Sequence, residues 1–315
     1  MSTLTEKSEI IFLYESKYSM PNGDPFTGEQ RYDEETKKVL VSDVRIKRFI
    51  RDYLHNIGGT IYVINDKEQI GEGVSGSASA ARVQSLRDKF AEKLKIAEKA
   101  AKDNKDKSFN SNLFVLKECI DVRLFGGIST EKKGNVNLTG PVQFALLNPS
   151  LNSVDLRMHQ NTSVFSSDVS KSGGAIGTTS LVPYSLNQIH GWINPFAAKL
   201  SGLEDKDVDK MFEALWKSIN NANTRSKSNQ SSLLLLQLVY AKDTDKVYGT
   251  DKLISYTSDK LDEQLRDISD VTFDFGALKE VATSDKIKEV KYYSESKEIL
   301  SQLTGLGDKF TKMSL

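Results

Sequence analysis

The sequence predicts an α+β protein with a ferredoxin-like, RRM-like core, in which two helices lie on one face of an antiparallel sheet. Three observations predict it. The apolar run "IIFLY" is followed by a segment of helix period and then by "TIYVIN". A second segment of helix period, Asp205–Asn220, is followed by "LLLLQLVY". Between these two groups the chain alternates apolar and polar residues, the period of a half-buried strand. Stripped of insertions, the order is β-α-β, then β-α-β.

Each element has its own signal. Residues 9–15 read as a buried strand. The loop "YSMPNGDPFTGEQ" that follows carries more Pro, Gly, Asn and Asp than a simple hairpin needs. "RYDEETKKVLVS" reads as a short hairpin turning at 33–36. Ser42 is the N-cap of a helix whose apolar face is Ile46, Phe49, Ile50, Tyr53, Leu54 and Ile57. Gly58 and Gly59 end it, and "TIYVIN" at 60–65 is the next strand. Residues 66–112 change character. A Gly/Ser/Ala loop leads into one Lys-rich helix with a thin stripe of Val83, Leu86, Phe90, Leu94, Ala97 and Ala101, which reads as an inserted helical lobe. "NLFVLKECIDVRLF" is a further helix, burying Cys119 and closing into Gly126 and Gly127.

"GPVQFALL" and "SVDLRMHQ" alternate as strands. Residues 164–181 are a long polar hairpin leaving the body, and "VPYSLNQIHGWINP" returns as a strand. The helix Asp205–Asn220 places Val208, Met211, Phe212, Leu215, Trp216 and Ile219 on one face, and 233–240 is an apolar strand. The last 70 or so residues mix short strands with charged helices.

Composition excludes several classes. The 43 basic and 43 acidic side chains balance, so global charge gives no argument for nucleic acid, and any such argument must be local. A single cysteine excludes an intrachain disulfide and makes a reducing, cytoplasmic setting the default. No apolar stretch approaches the roughly 18 residues of a membrane span, and the N-terminal apolar run has neither the basic flank nor the length of a signal peptide.

Local clusters carry the chemistry. On the first helix Lys47, Arg48 and Arg51 fall on one side with Arg45 further round. We read this stripe as lacking acidic partners one turn on, beside a helix start that favours anions. A solvated basic face is the competing reading. "TRSKSNQSS" sets Arg225 and Lys227 among small donors such as Ser228, which suits a phosphodiester backbone. "RLFGG", with Arg123, Gly126 and Gly127, presents backbone N–H groups but matches neither the P-loop nor the dinucleotide pattern. Catalytic readings are poor. His55, His159 and His190 lack metal-ligand spacing. Asp24 is the best single acid, with structuring of its own loop as the alternative.

Four stretches then coincide with one family. "NGDPFTGEQRYDEETKKVLVSDVRIKRFIRDYL", "IDVRLFGG", "TGPVQF" and "LVPYSLNQIHGWINP" occur in the order seen in the Cas seven family, and the chain resembles that family from about residue 8 to about 240. These are the backbone subunits of type I CRISPR surveillance complexes (Cascade), and the likeness is closest to the type I-B branch. The resemblance implies a single hand-like domain over 1–315. Its parts are an RRM-like palm, fingers at 66–112 and a β-hairpin thumb at 164–181. It implies a non-catalytic protein without cofactor that forms a filament with copies of itself along CRISPR RNA, so that the bases pair with target DNA. Other Cascade subunits are implied as partners: one binding the five-prime handle, a large one and a small one. No membrane is implied. On this reading Asn22 and the basic residues above face RNA, Lys171 contacts a phosphate, and Val169 and Ile176 are apolar wedges. The rival is a metal-dependent endoribonuclease of the type III kind, using Asp24 or Asp33 of the palm loops.

Overall fold

A computed structural model describes residues 4–64, 78–130, 134–162, 176–242 and 244–315. The chain forms two compact units. One comprises Ser8–Ile46, Phe144–Gly191 and Trp216–Leu315; the other comprises Met1–Lys7, Lys47–Gln143 and Trp192–Leu215.

The first unit is built on a large sheet. Its strand order is Phe310–Lys312, Ile287–Tyr293, Gln230–Tyr240, Ser8–Ser19, Ile176–Ile193, Leu147–Ser153, Lys38–Ser42 and Tyr32–Asp33. Arg157–Thr162 pairs with the N-terminal part of Ile176–Ile193, from Arg157 opposite Leu181 to Thr162 opposite Ile176. Ser8–Ser19 and Gln230–Tyr240 run antiparallel from Ser8 opposite Val239 to Ser16 opposite Gln230, with a register shift between Leu13 and Tyr14. Residues 8–15 are all buried, as expected of a continuous apolar run inside a sheet. The sheet is not wholly antiparallel, since Ile287–Tyr293 and Phe310–Lys312 are parallel. The segment beyond residue 240 supplies much of this unit's core. Leu253, Phe273, Phe275, Leu278, Val290 and Ile299 pack with Leu13, Leu234, Leu236 and Leu238. Several buried polar groups of the sheet find partners across it. Buried Glu9 accepts from Tyr240 Oη at 2.8 Å and Thr250 Oγ1 at 2.5 Å, and lies 3.0 Å from His190 Nε2.

The second unit is mostly helical. Ala78–Lys89, Ala91–Asp103, Ser111–Lys117 and Ile120–Phe125 gather around Val83, Leu86, Val115, Leu116, Cys119 and Val122. Asn110 caps Ser111–Lys117, accepting from the Asn112 and Leu113 N–H groups. Burial pushes the Cys119 thiol up to about 12, which leaves it inert at neutral pH. No helix among the described residues is long and apolar enough to cross a membrane.

Helices Asp43–Asn56 and Asp205–Asn220 fall where the sequence places them, and Ser42 Oγ accepts from the Arg45 N–H as a cap should. Three expected elements differ, and Ile57, placed on the apolar face of the first helix, is exposed beyond its end. Residues 60–64, the described part of "TIYVIN", form no strand. The Tyr62 and Val63 N–H groups donate to the buried Asp121 carboxylate at 2.7 and 3.0 Å instead of to a ladder. The Lys-rich helix is two helices, broken at Phe90, whose φ of −109° and ψ of 22° are not helical. "NLFVLKECIDVRLF" is likewise two helices, because Cys119 is extended.

Candidate nucleic-acid interface

The Pro/Gly loop is folded on itself. Asp24 N–H donates to Glu29 O and Gly28 N–H to Asp24 O, and a single bridge joins Gly23 to Gln30. Asn22 is its buried anchor. Its Oδ1 accepts from Ser42 N and Ser42 Oγ at 2.7 and 2.8 Å, and its own N–H donates to Gln30 Oε1 at 2.9 Å. Gln30 N–H in turn donates to Ser180 Oγ at 2.7 Å. Both Asp24 carboxylate oxygens are engaged, Oδ1 by the Phe26 N–H at 2.8 Å and Oδ2 by Arg31 at 3.0 Å. Asp33 is held by Thr36 Oγ1 at 2.5 Å in the hairpin turn. No cluster of metal-ligating side chains occurs among the described residues.

Beside this loop lies a cleft of about 600 Å³ lined by Tyr18, Ser19, Met20, Gly28, His159, Thr179, Ser180, Leu181, Arg225 and Ser226. Arg225 is exposed at its rim, and no carboxylate among the described residues pairs with it. Lys227, in the same turn, is buried. Its ammonium donates to Met20 O and lies 3.4 Å from Ser226 Oγ. Burial, helped by the nearby positive charge of Arg45, pushes Lys227 down to about 8. Ser228 closes the turn, its N–H donating to Thr224 O. Positive charge with no carboxylate against it is the electrostatic condition for an anion.

Four of the other predicted cations are occupied otherwise. Arg48 pairs with Asp52 one turn on at 2.6 Å, a partner visible in the sequence that corrects the reading of an unneutralised stripe. Arg51 donates to buried Asp121 at 3.0 Å and lies over the Phe125 ring. Lys47 reaches Gln143 at 3.2 Å and the same ring. Arg123 forms a two-pronged pair with buried Asp207, both bonds 2.8 Å, and donates to Lys117 O. Gly126 has φ 83°, and a Cβ there would meet Leu138 O at 2.1 Å. Close packing of the hairpin Gly126–Ser129 and Val136–Thr139 thus requires a glycine there. Gly127 meets only ordinary contacts. Lys171 and Val169 lie outside the described residues, as does the side chain of Ile176 and most of the 164–181 hairpin.

Sequence reasoning missed Tyr18, Ser19 and His159 as lining residues. Tyr18 carries one signal, an aromatic residue at the exit of a strand beside turn chemistry. Ser19 and His159 carry none.

The sequence pattern of the family described as CRISPR-associated protein Cas7 matches residues 6–276. A Haloferax volcanii protein described as CRISPR-associated protein Cas7 is 28% identical over 301 residues, covering 89% of this chain and 83% of its own. Two solved chains share the fold. One, from a CRISPR RNA-guided surveillance complex in a pre-nicking state, has a TM-score of 0.55 at 14% identity, covering 98% of this chain and 96% of its own. The other, from a CRISPR RNA-guided surveillance complex, has a TM-score of 0.52 at 14% identity, covering 98% and 95%.

Proposed function

The chain belongs to the CRISPR-associated protein Cas7 family, and from that premise we propose that it is a non-catalytic backbone subunit of a type I surveillance complex, of the I-B kind. It oligomerises along CRISPR RNA, holds the backbone of the guide and leaves its bases to pair with target DNA. The observation that carries this reading is the family match over residues 6–276. Its partners are guide RNA, further copies of itself and the handle-binding, large and small subunits.

The sheet supports a ferredoxin-like palm. Gln230–Tyr240, Ser8–Ser19, Ile176–Ile193 and Leu147–Ser153 are successive neighbours, the 4-1-3-2 order of a β-α-β-β-α-β unit once Leu147–Ser153 takes the place expected of "TIYVIN". On this reading residues 66–112 are fingers and 164–181 a thumb bearing Lys171, Val169 and Ile176. The engagement of both Asp24 oxygens favours a structural loop over a metal-dependent nuclease. The test is to co-express the chain with guide RNA and its partner subunits. We expect co-elution as a large particle with an elevated 260/280 nm absorbance ratio, and Asp24→Asn to leave target binding intact. A nucleic-acid-free monomer, or metal-dependent cutting of guide-paired RNA lost in that variant, would overturn the reading.

A further inference from the structure

The cleft holds two features that a guide-backbone contact through Arg225 alone leaves unexplained. Ser19 is 2% exposed, yet its Oγ has no protein hydrogen-bond partner, and it lines the cleft. A buried hydroxyl left unpaired is costly unless something else pairs with it. Tyr18, its neighbour, has φ +46°, a conformation that bulky side chains adopt rarely and at a cost.

The strain has a local origin. Ladder pairing between Ser8–Ser19 and Gln230–Tyr240 ends at Ser16 opposite Gln230. Past it, Lys17 N–H donates to Asn229 O and Met20 N–H to Ser226 O. The register is kept across these two bonds, but the ladder between them is interrupted, and Asn229, opposite Lys17, also has positive φ, 62°. The irregularity leaves Tyr18 59% exposed while lining the cleft. Backbone strain of this kind persists where surrounding structure over-determines it, and it clusters at ligand sites.

We propose that the cleft is a seat for one nucleotide of single-stranded RNA, in which the Tyr18 ring stacks on a base while Ser19 Oγ and the Arg225 guanidinium bind the adjoining phosphate. The proposal rests on the guide-RNA reading and adds to it a base contact. About 600 Å³ is far more than a phosphate fills, and the lining is mixed: an aromatic ring, an imidazole at His159, an aliphatic side chain at Leu181 and hydroxyls at Ser19 and Thr179. Such a lining suits a flat base joined to an anion. Every base has a π-face, so a stacking platform tolerates any guide sequence. Ser19 and Tyr18 line the same cleft, so a donor for the phosphate and a ring for the base face one space.

The test uses the full chain with 12-residue oligouridylate and oligoadenylate, titrated over a range of salt. Tyr18→Asn removes the ring while suiting the left-handed backbone, so it keeps or raises the melting temperature. It should weaken binding of both oligomers roughly ten- to a hundredfold without changing the salt slope. Tyr18→Phe should bind as the wild type does. Arg225→Ala should lower the salt slope by about one. If the wild type binds RNA and Tyr18→Asn binds it equally well, the seat is wrong and the backbone reading stands. If Tyr18→Phe loses as much as Tyr18→Asn, the hydroxyl acts rather than the ring, and stacking is wrong. If the wild type binds neither oligomer, the seat and the guide-RNA reading fall together.

Discussion

Arg225, Lys227 and Arg123 look alike in the sequence, as basic residues among small or glycine-rich neighbours, and their surroundings separate them. Arg225 is exposed without an acidic partner among the described residues, so Arg225→Ala should leave thermal stability unchanged. Arg123 neutralises buried Asp207, so Arg123→Ala should cost about 3–5 kcal/mol in denaturant unfolding, because it strands a buried carboxylate. Lys227 makes a third case. Its value near 8 against an ordinary 10.5 means that the unfolded chain holds this proton more tightly than the folded one. Stability should therefore rise as pH climbs from 8 to 10.5, by an amount on the order of 3 kcal/mol from this group. Denaturant titrations at pH 7.5 and 10 should show that rise in the wild type relative to Lys227→Met; parallel curves would refute it. An anion in the cleft reverses the balance by favouring the charged form, so RNA affinity should fall over the same pH range. None of this difference was legible from the three residues alone. The partner of Arg123 lies 84 positions away, and Lys227 is distinguished by a backbone carbonyl.

At the scale of elements, the legible features were those fixed by neighbours in the chain. Asp205–Asn220 repeats its apolar residues at helical spacing, and Val208, Met211, Phe212, Leu215, Trp216 and Ile219 are all buried. The hairpin of Tyr32–Asp33 and Lys38–Ser42 follows its turn chemistry. "TIYVIN" shows the limit, since β-rich composition yields no strand when a distant carboxylate takes the N–H groups. The loop from Met20 to Arg31 lies between these cases. Its turn residues predict a reversal, but its rigidity comes from Asn22 fastening it to Ser42, the start of the next helix. Asn22→Ala removes the acceptor for the Ser42 N–H and hydroxyl and should cost about 1–3 kcal/mol. Because Gly28 lines the cleft, loosening this loop should also weaken RNA binding. Hydrogen exchange at the Asp24 and Gly28 amides, which close the loop, is the direct readout, and unchanged protection in Asn22→Ala would show that another contact holds it.

For the whole molecule, zero net charge conceals an uneven distribution, with a cleft whose described lining carries no acid in the same chain as a buried carboxylate held by the sheet. Glu9 draws on three parts of the fold at once. Tyr240 comes from the neighbouring strand, His190 from the long strand on the other side, and Thr250 from the segment beyond residue 240. Burial alone would raise its pKa, but the hydrogen bonds from His190, Thr250 and Tyr240, with the charge of His190, hold it below the ordinary glutamate value. A carboxyl lowered on folding contributes stability that is complete above its unfolded pKa and is lost as pH falls through its folded one. The wild type should therefore lose stability through this group only below about pH 4.5, near the ordinary glutamate range. Glu9→Gln keeps the size and one acceptor oxygen but cannot ionise, and its amide NH2 faces a donor on one side, either Tyr240 or Thr250. It should be less stable than the wild type at pH 7 by about 1–3 kcal/mol, with the gap closing as pH drops towards 3. Denaturant midpoints of the two proteins at pH 7, 5, 4 and 3 decide the matter: a gap of constant width would mean that the lost hydrogen bonds, rather than the ionised carboxylate, account for the effect.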